Sequence, residues 1–199
     1  MDLAQLNSDL REVRKGLRKA GVYSKTIQGI TTRAQKSGRR QTGDYQSNRS
    51  SRWNLDPRDP QYGTEEECKV IELRLLGMMC EFVNAPVLSE PTTGIISKYL
   101  GREPVIGSYR DALTLERLDY KHFEAEALQP KRGRSVFHIG HDDPTAVPKH
   151  CVANVSWRTH RSNLIQGDMT LREARTKLVE LIGRYFQLGE VTIHPDEIA

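Results

Sequence analysis

Residues 137–170 hold four histidines, two asparagines, three aspartates and a tryptophan within 34 positions. A folding core alone does not call for that composition. Hydrolysis of a phosphodiester does call for groups of this kind. A neutral imidazole near its ordinary pKa can take a proton from water at pH 7. A divalent cation can offset the charge that builds on the phosphate and the leaving oxygen. An oxygen acceptor on the second ring nitrogen can hold the imidazole in one tautomer and orientation. His138 and His141 stand at the end of a short apolar run, a polar loop with two prolines follows, Asn154 opens the extended run Asn-Val-Ser-Trp, and Asn163 lies nine residues further on.

The elements that must position these groups are legible to different degrees. Residues 2–20 carry Leu3, Leu6, Leu10, Val13 and Leu17 at helical spacing, with Arg and Lys crowding the last turns and Gly21 as a stop. Thr64, with Glu67 three residues on, predicts a capping box. Val70, Ile71, Leu73, Leu75, Leu76, Met78, Met79 and Phe82 make the helix that follows apolar around much of its circumference, as a central buried helix is. A further helix is expected from Thr92 or Thr93 to Tyr99. Residues 102–128 give weaker signals, with short strands near 104–106 and a helix or turn near 110–118. If residues 121–126 are extended, His122, Glu124 and Glu126 share one face and form a possible carboxylate supply. Residues 136–139 read as a strand. Thr170 with Glu173 predicts a second capping box, opening a final helix with an ordinary apolar stripe. Trp157 reads as a core residue, and His150 and His160 as polar, partly exposed side chains.

Charge is uneven along the chain. The net charge is +4, made of +7 over residues 1–60 and −3 over residues 61–199. Residues 31–62 are rich in Gly, Ser, Gln and Arg, so they read either as a disordered linker or as a long loop that orders on a partner. Arg33, Lys36, Arg39, Arg40, Arg49 and Arg52, with Tyr45 and Trp53 among them, are of the types that contact phosphates and stack on bases. The division expected is a basic N-terminal helix and flexible DNA-contacting arm at 1–63, and a helical scaffold at 64–199 carrying a chemical unit at about 129–188. Three cysteines with no CxxC spacing speak against a disulfide framework and a cysteine zinc ribbon. No apolar run reaches the roughly 18–20 residues of a membrane span, so a cytoplasmic protein is expected.

The run from Asn154 to Asn163, NVSWRTHRSN, resembles the second half of the HNH, or ββα-metal, endonuclease motif. That pattern reads Asn, aliphatic, any, Trp, any, Ser/Thr, three of any, Asn, and Asn154, Val155, Trp157, Thr159 and Asn163 fall in register with it. GHDDP at 140–144 is similar to the His-containing first half. The resemblance covers about 35 residues. It implies an α+β fold: a mainly helical body with an antiparallel hairpin and a helix clasping one cation. It implies His141 as general base, Asn154 as the residue bracing the loop, and Asn163 as a metal ligand. The ion implied is divalent, Mg2+ or Mn2+, and the substrate double-stranded DNA, cut by a restriction-type or phage-type enzyme. Arg158 and Arg161, flanking the site, are expected on the DNA backbone with Arg39 and Arg40. A homodimer would let one site per chain cut both strands. Gly140 departs from the family, which has Asp or His there as a metal ligand. His138, on the same strand face, is the substitute ligand expected, and a non-catalytic nucleic-acid-binding protein with a degenerate unit is the alternative.

Overall fold

The computed structural model describes residues 2–39, 41–42, 45–46, 48–130 and 135–190. Its centre is α3 (Glu65–Met79), whose Leu73, Leu75, Leu76 and Met79 are all essentially inaccessible. Each such side chain contributes about 1.5–3 kcal/mol on burial. The Thr64 hydroxyl accepts from the Glu67 amide, as the sequence leads one to expect. The Glu67 carboxylate instead accepts from the Val152 amide at 3.3 Å, tying this helix to the loop that carries the site.

Two helices precede it. In α1 (Leu3–Lys19) the stripe Leu6, Leu10, Val13 and Leu17 is buried. α2 (Ser24–Gln35) overturns part of the linker expectation, since residues 31–35 are helical and Ile27, Ile30 and Ala34 are buried. Its Ser, Thr and Gln content hid a stripe of only three apolar residues. Both helices pack against α3 in one apolar core, so the buried residues of α1 and α2 belong to the same interior as α3. The fully buried Glu72 carboxylate joins all three. It accepts from Arg14 Nε at 2.8 Å, Thr31 Oγ1 at 2.8 Å and Gln35 Nε2 at 2.6 Å.

After α2 the chain forms two paired strands of two residues, β1 (Gln41–Thr42) and β2 (Tyr45–Gln46). The loop then returns to its own start, where the Ser37 amide donates to Ser50 O at 2.9 Å. Beyond α3 come α4 (Thr92–Leu100) and α5 (Tyr120–Leu128). α5 occupies the stretch whose alternation suggested an extended segment. Asp119 caps it by accepting from the His122 amide, and Tyr120 and Phe123, three apart, face inward. Residues 104–106 form no strand, and within 110–118 a turn at 112–114 is closed by an antiparallel bridge between Arg110 and Arg117.

The last elements are β3 (Phe137–His141), β4 (Val155–Thr159), α6 (His160–Gln166) and α7 (Leu171–Leu188). β3 and β4 pair antiparallel, from Phe137↔Thr159 to His141↔Val155, and α6 packs on both. The fold is therefore α+β, mostly helical, with a small hairpin followed directly by a helix. Trp157 is fully buried and joins this unit to the body: its indole N–H donates to Leu75 O of α3 at 2.9 Å, and Phe123 meets it edge-on at 4.9 Å. Among the described residues, no helix is long and apolar enough to cross a membrane.

Candidate active site and nucleic-acid interface

Register decides which groups face which way. Residues opposite each other in an antiparallel pair share a face, and alternate residues change face. His138, Gly140, Ser156 and Arg158 therefore lie on one face of the hairpin, while Phe137, Ile139, His141 and Trp157 lie on the other. α6 covers the first face.

His141 ends β3, and Asn154 precedes β4 across a loop of residues 142–154. Asn154 is buried and bonds that loop from inside. Its Oδ1 accepts from the Asp143 amide at 2.6 Å, and its Nδ2 donates to Asp143 O at 2.7 Å and Lys149 O at 2.8 Å. This shapes the chain on either side of His141. The Nε2 of His141 is enclosed without a hydrogen-bond partner among the described residues. Burial, then Lys149, Arg52 and Arg158, push its pKa down to about 4, so the imidazole is neutral at pH 7.

His150, expected to be partly exposed, is fully buried. Its Nε2 meets Ala34 O at the end of α2 at 2.7 Å, and its ring lies 6.1 Å from that of His141. Burial and then Arg52 push it down to about 3. Nothing local in the sequence marks this residue, because its partner lies 116 positions away.

β3 lines a cleft of about 820 Å³ that lies between it, α2 and the 36–61 loop, with His141 on its wall and His138 at its edge. Lys25, Arg33, Lys36, Arg49, Arg52 and Lys149 line it, and Glu126 is the acidic residue on its wall. Arg39 lines it as well; Arg40 lies outside the described residues. Of these cations, Arg52 and Lys149 act directly on the His141 imidazole. A cleft in which cations outnumber carboxylates in this way concentrates polyanions.

The other expected ligands do not gather. His138 Nε2 meets Ser135 O at 2.9 Å, and its ring lies 4.8 Å from His160, which is exposed. Glu126 accepts from the Ser135 hydroxyl and the Val136 amide, and Glu124 from the Tyr120 hydroxyl. Among the described residues no three His, Cys, Asp or Glu side chains come close enough to hold a metal ion. Asn163 sits on α6 with its Oδ1 directed at Gly140. Arg161 is exposed in the first turn of the same helix.

Arg158 requires a correction. It is fully buried, with Nε on Ser156 Oγ at 3.2 Å, Nη1 on Gln166 Oε1 at 2.7 Å and Nη2 on Asp142 Oδ1 at 2.6 Å. A guanidinium whose donors are spent inside the hairpin–helix unit cannot lie on a DNA backbone. The sequence also gave no warning of Asp111. Its buried carboxylate accepts from the Thr159 amide at 2.8 Å and the Ser162 hydroxyl at 2.6 Å, fixing the start of α6.

No family profile matches this chain, and no curated protein matches it. A solved structure described as "Crystal structure of a type II restriction endonuclease" is similar to it, with a TM-score of 0.53 and 19% identity. The likeness covers 64% of this chain and 55% of that one. What the two share is a fold. The chain thus spans little more than half the length of that structure.

Proposed function

We propose that this protein is a DNA endonuclease of the HNH type, restriction-like, with His141 as the general base. The observation that carries the reading is His141 itself, neutral at pH 7 and set at the wall of a cleft lined by cations. The hairpin followed by α6, with Asn154 bracing the loop, is the arrangement that the sequence resemblance implies. The fold likeness to a restriction endonuclease supports the same reading.

In this reading the duplex backbone enters the cleft and its phosphates meet Lys36, Arg49, Arg52 and Lys149, with Arg39 at the rim. Arg161 contacts the strand from α6. A water between the scissile phosphate and His141 gives its proton to the imidazole as its oxygen attacks phosphorus. The phosphorus–oxygen ester bond on the far side breaks, and the departing oxygen takes a proton from solvent. The bound phosphate, being anionic, draws the His141 pKa upward toward the range where a base is most effective. Two copies of the chain would supply one such site to each strand.

Mg2+ or Mn2+ is the ion that the resemblance implies. The residues around Gly140 do not fit it. A recess of about 120 Å³ there is lined by Gly140, His141, Asn163 and Gln166, with no carboxylate among its walls. The Gln166 Oε1 is already held by Arg158, which leaves Asn163 Oδ1 as the side-chain oxygen on offer. Hard divalent ions of this kind are held mainly by carboxylate oxygens, so no step above runs through one. The same departure favours a second reading, a DNA-binding protein that does not cut.

A nicking assay on supercoiled plasmid separates the two. It is run in Mg2+, Mn2+ or EDTA, with His141→Ala alongside. Cleavage that His141→Ala reduces by about 100-fold or more supports the reading, as removal of a general base typically costs 10²–10⁴. Binding without cleavage under every condition supports the second reading. Equal cutting by the variant removes His141 from the chemistry.

A further inference from the structure

We infer that Arg158 is the resident cation of the hairpin–helix unit, doing the structural work that a divalent ion does in the enzymes the motif resembles. The inference rests on the proposed relationship to those enzymes, and on three observations about one place in the fold.

The first is steric. A Cβ added at Gly140 would lie 2.2 Å from Arg158 Cγ, 3.0 Å from its Cδ and 2.9 Å from Asn163 Oδ1. The ligand missing from position 140 and the side chain of Arg158 therefore compete for the same volume. Glycine is what lets the arginine stem cross the strand. The second is connectivity. The guanidinium binds Ser156 on β4, Gln166 on α6 and Asp142 just past β3, so it clasps all three parts of the unit. Gln166 extends the clasp, because its Nε2 donates to His141 O and Met169 O, both at 2.9 Å. The backbone carbonyl of the proposed base is thus anchored to the arginine through one amide. The third is charge. The fully buried guanidinium is paired with Asp142 at 2.6 Å, so the unit already holds a neutralised cation. A divalent ion placed beside it would find Asp142, the nearby carboxylate, already engaged.

The unit therefore folds without metal. Gly140 and Arg158 act as a matched pair, and the reciprocal pair, an acidic side chain at 140 with a small one at 158, reopens an ion site beside Asn163.

Thermal unfolding of the full chain tests this with the metals alone as probes. Wild type is melted in EDTA, in Mg2+ and in Mn2+, and the expected result is one Tm within about 1 °C. The double variant Gly140→Asp/Arg158→Ala is expected to melt lower in EDTA. At a hundredfold excess of Mn2+ over its Kd it should regain roughly 5–10 °C. Asn163→Ala added to that variant should abolish the gain. A wild-type Tm that Mn2+ raises and Asn163→Ala returns to the EDTA value overturns the inference, and this arm needs no double variant to fold. A folded double variant that ignores Mn2+ overturns the matched-pair relation as well. Cleavage is not read, so a protein that cuts nothing still gives an answer.

Discussion

Mild acid should destabilise this protein through two buried imidazoles. His141 sits at about 4 and His150 at about 3, in both cases first because burial disfavours the charged ring. In the unfolded chain both return to an ordinary value of about 6.5. Between the folded and unfolded values the unfolded state binds protons that the folded state refuses. Stability is therefore fully present above about pH 6.5 and drains away as pH falls toward 4. From pH 7 to pH 5 each imidazole accounts for a loss of roughly 2 kcal/mol, and the two together for roughly 4 kcal/mol. That is a large share of the roughly 5–15 kcal/mol that holds a typical domain. His138, also pushed down by burial, adds in the same direction. Asp9, Asp119, Asp143 and Glu173 are all held below their ordinary values, so their contributions are lost at lower pH than those of the histidines. The measurement is urea unfolding at pH 7, 6 and 5 for wild type and His150→Gln. Glutamine keeps a donor for Ala34 O while removing the titration. The variant should start less stable but lose only about half as much between pH 7 and 5. A wild-type loss below about 1 kcal/mol, or an equal loss in both proteins, would show that these rings are not held neutral by their surroundings.

The remaining expectations concern the cleft and the core. In DNA binding, Arg49→Ala and Lys149→Ala together should lower the slope of log Kd against log salt by about 2, because each cation on a phosphate releases roughly one counterion. Arg161→Ala should lower it by about 1, whereas Arg158→Ala should leave the slope unchanged and reduce stability, since its guanidinium is buried. Glu72→Ala should cost about 3–5 kcal/mol in chemical unfolding, because it leaves Arg14, Thr31 and Gln35 facing an empty place in the core. A cost under 1 kcal/mol would mean that the three donors find water instead.

What could be read from the sequence was local. Threonine caps at 64 and 170, the leucine stripe of α1 and the apolar run of α3 depend on neighbours within a few positions, and all four appear where their spacing puts them. The interval from His141 to Asn154 to Asn163 is local in the same sense, since a hairpin and the helix after it close over short chain distances. α2 and α5 were hidden for opposite reasons. One has too few apolar residues to show a stripe, and the other has an alternation that resembles a strand until Tyr120 and Phe123 are seen to point inward together.

Tertiary structure alone decided the rest. Arg158 reads as a surface cation beside a phosphate site, because nothing in its neighbours reveals that Gly140 clears its path and that Asp142 and Gln166 meet its charge. His150 is buried by a carbonyl at the far end of α2. The basic cleft exists because α2, residues 36–39, Arg49 and Arg52 come together with β3 and the loop ahead of β4, which no short-range pattern encodes. Residue types and spacing determined which chemistry this chain could attempt. Packing across the described residues decided which charges line the cleft and which one is locked inside.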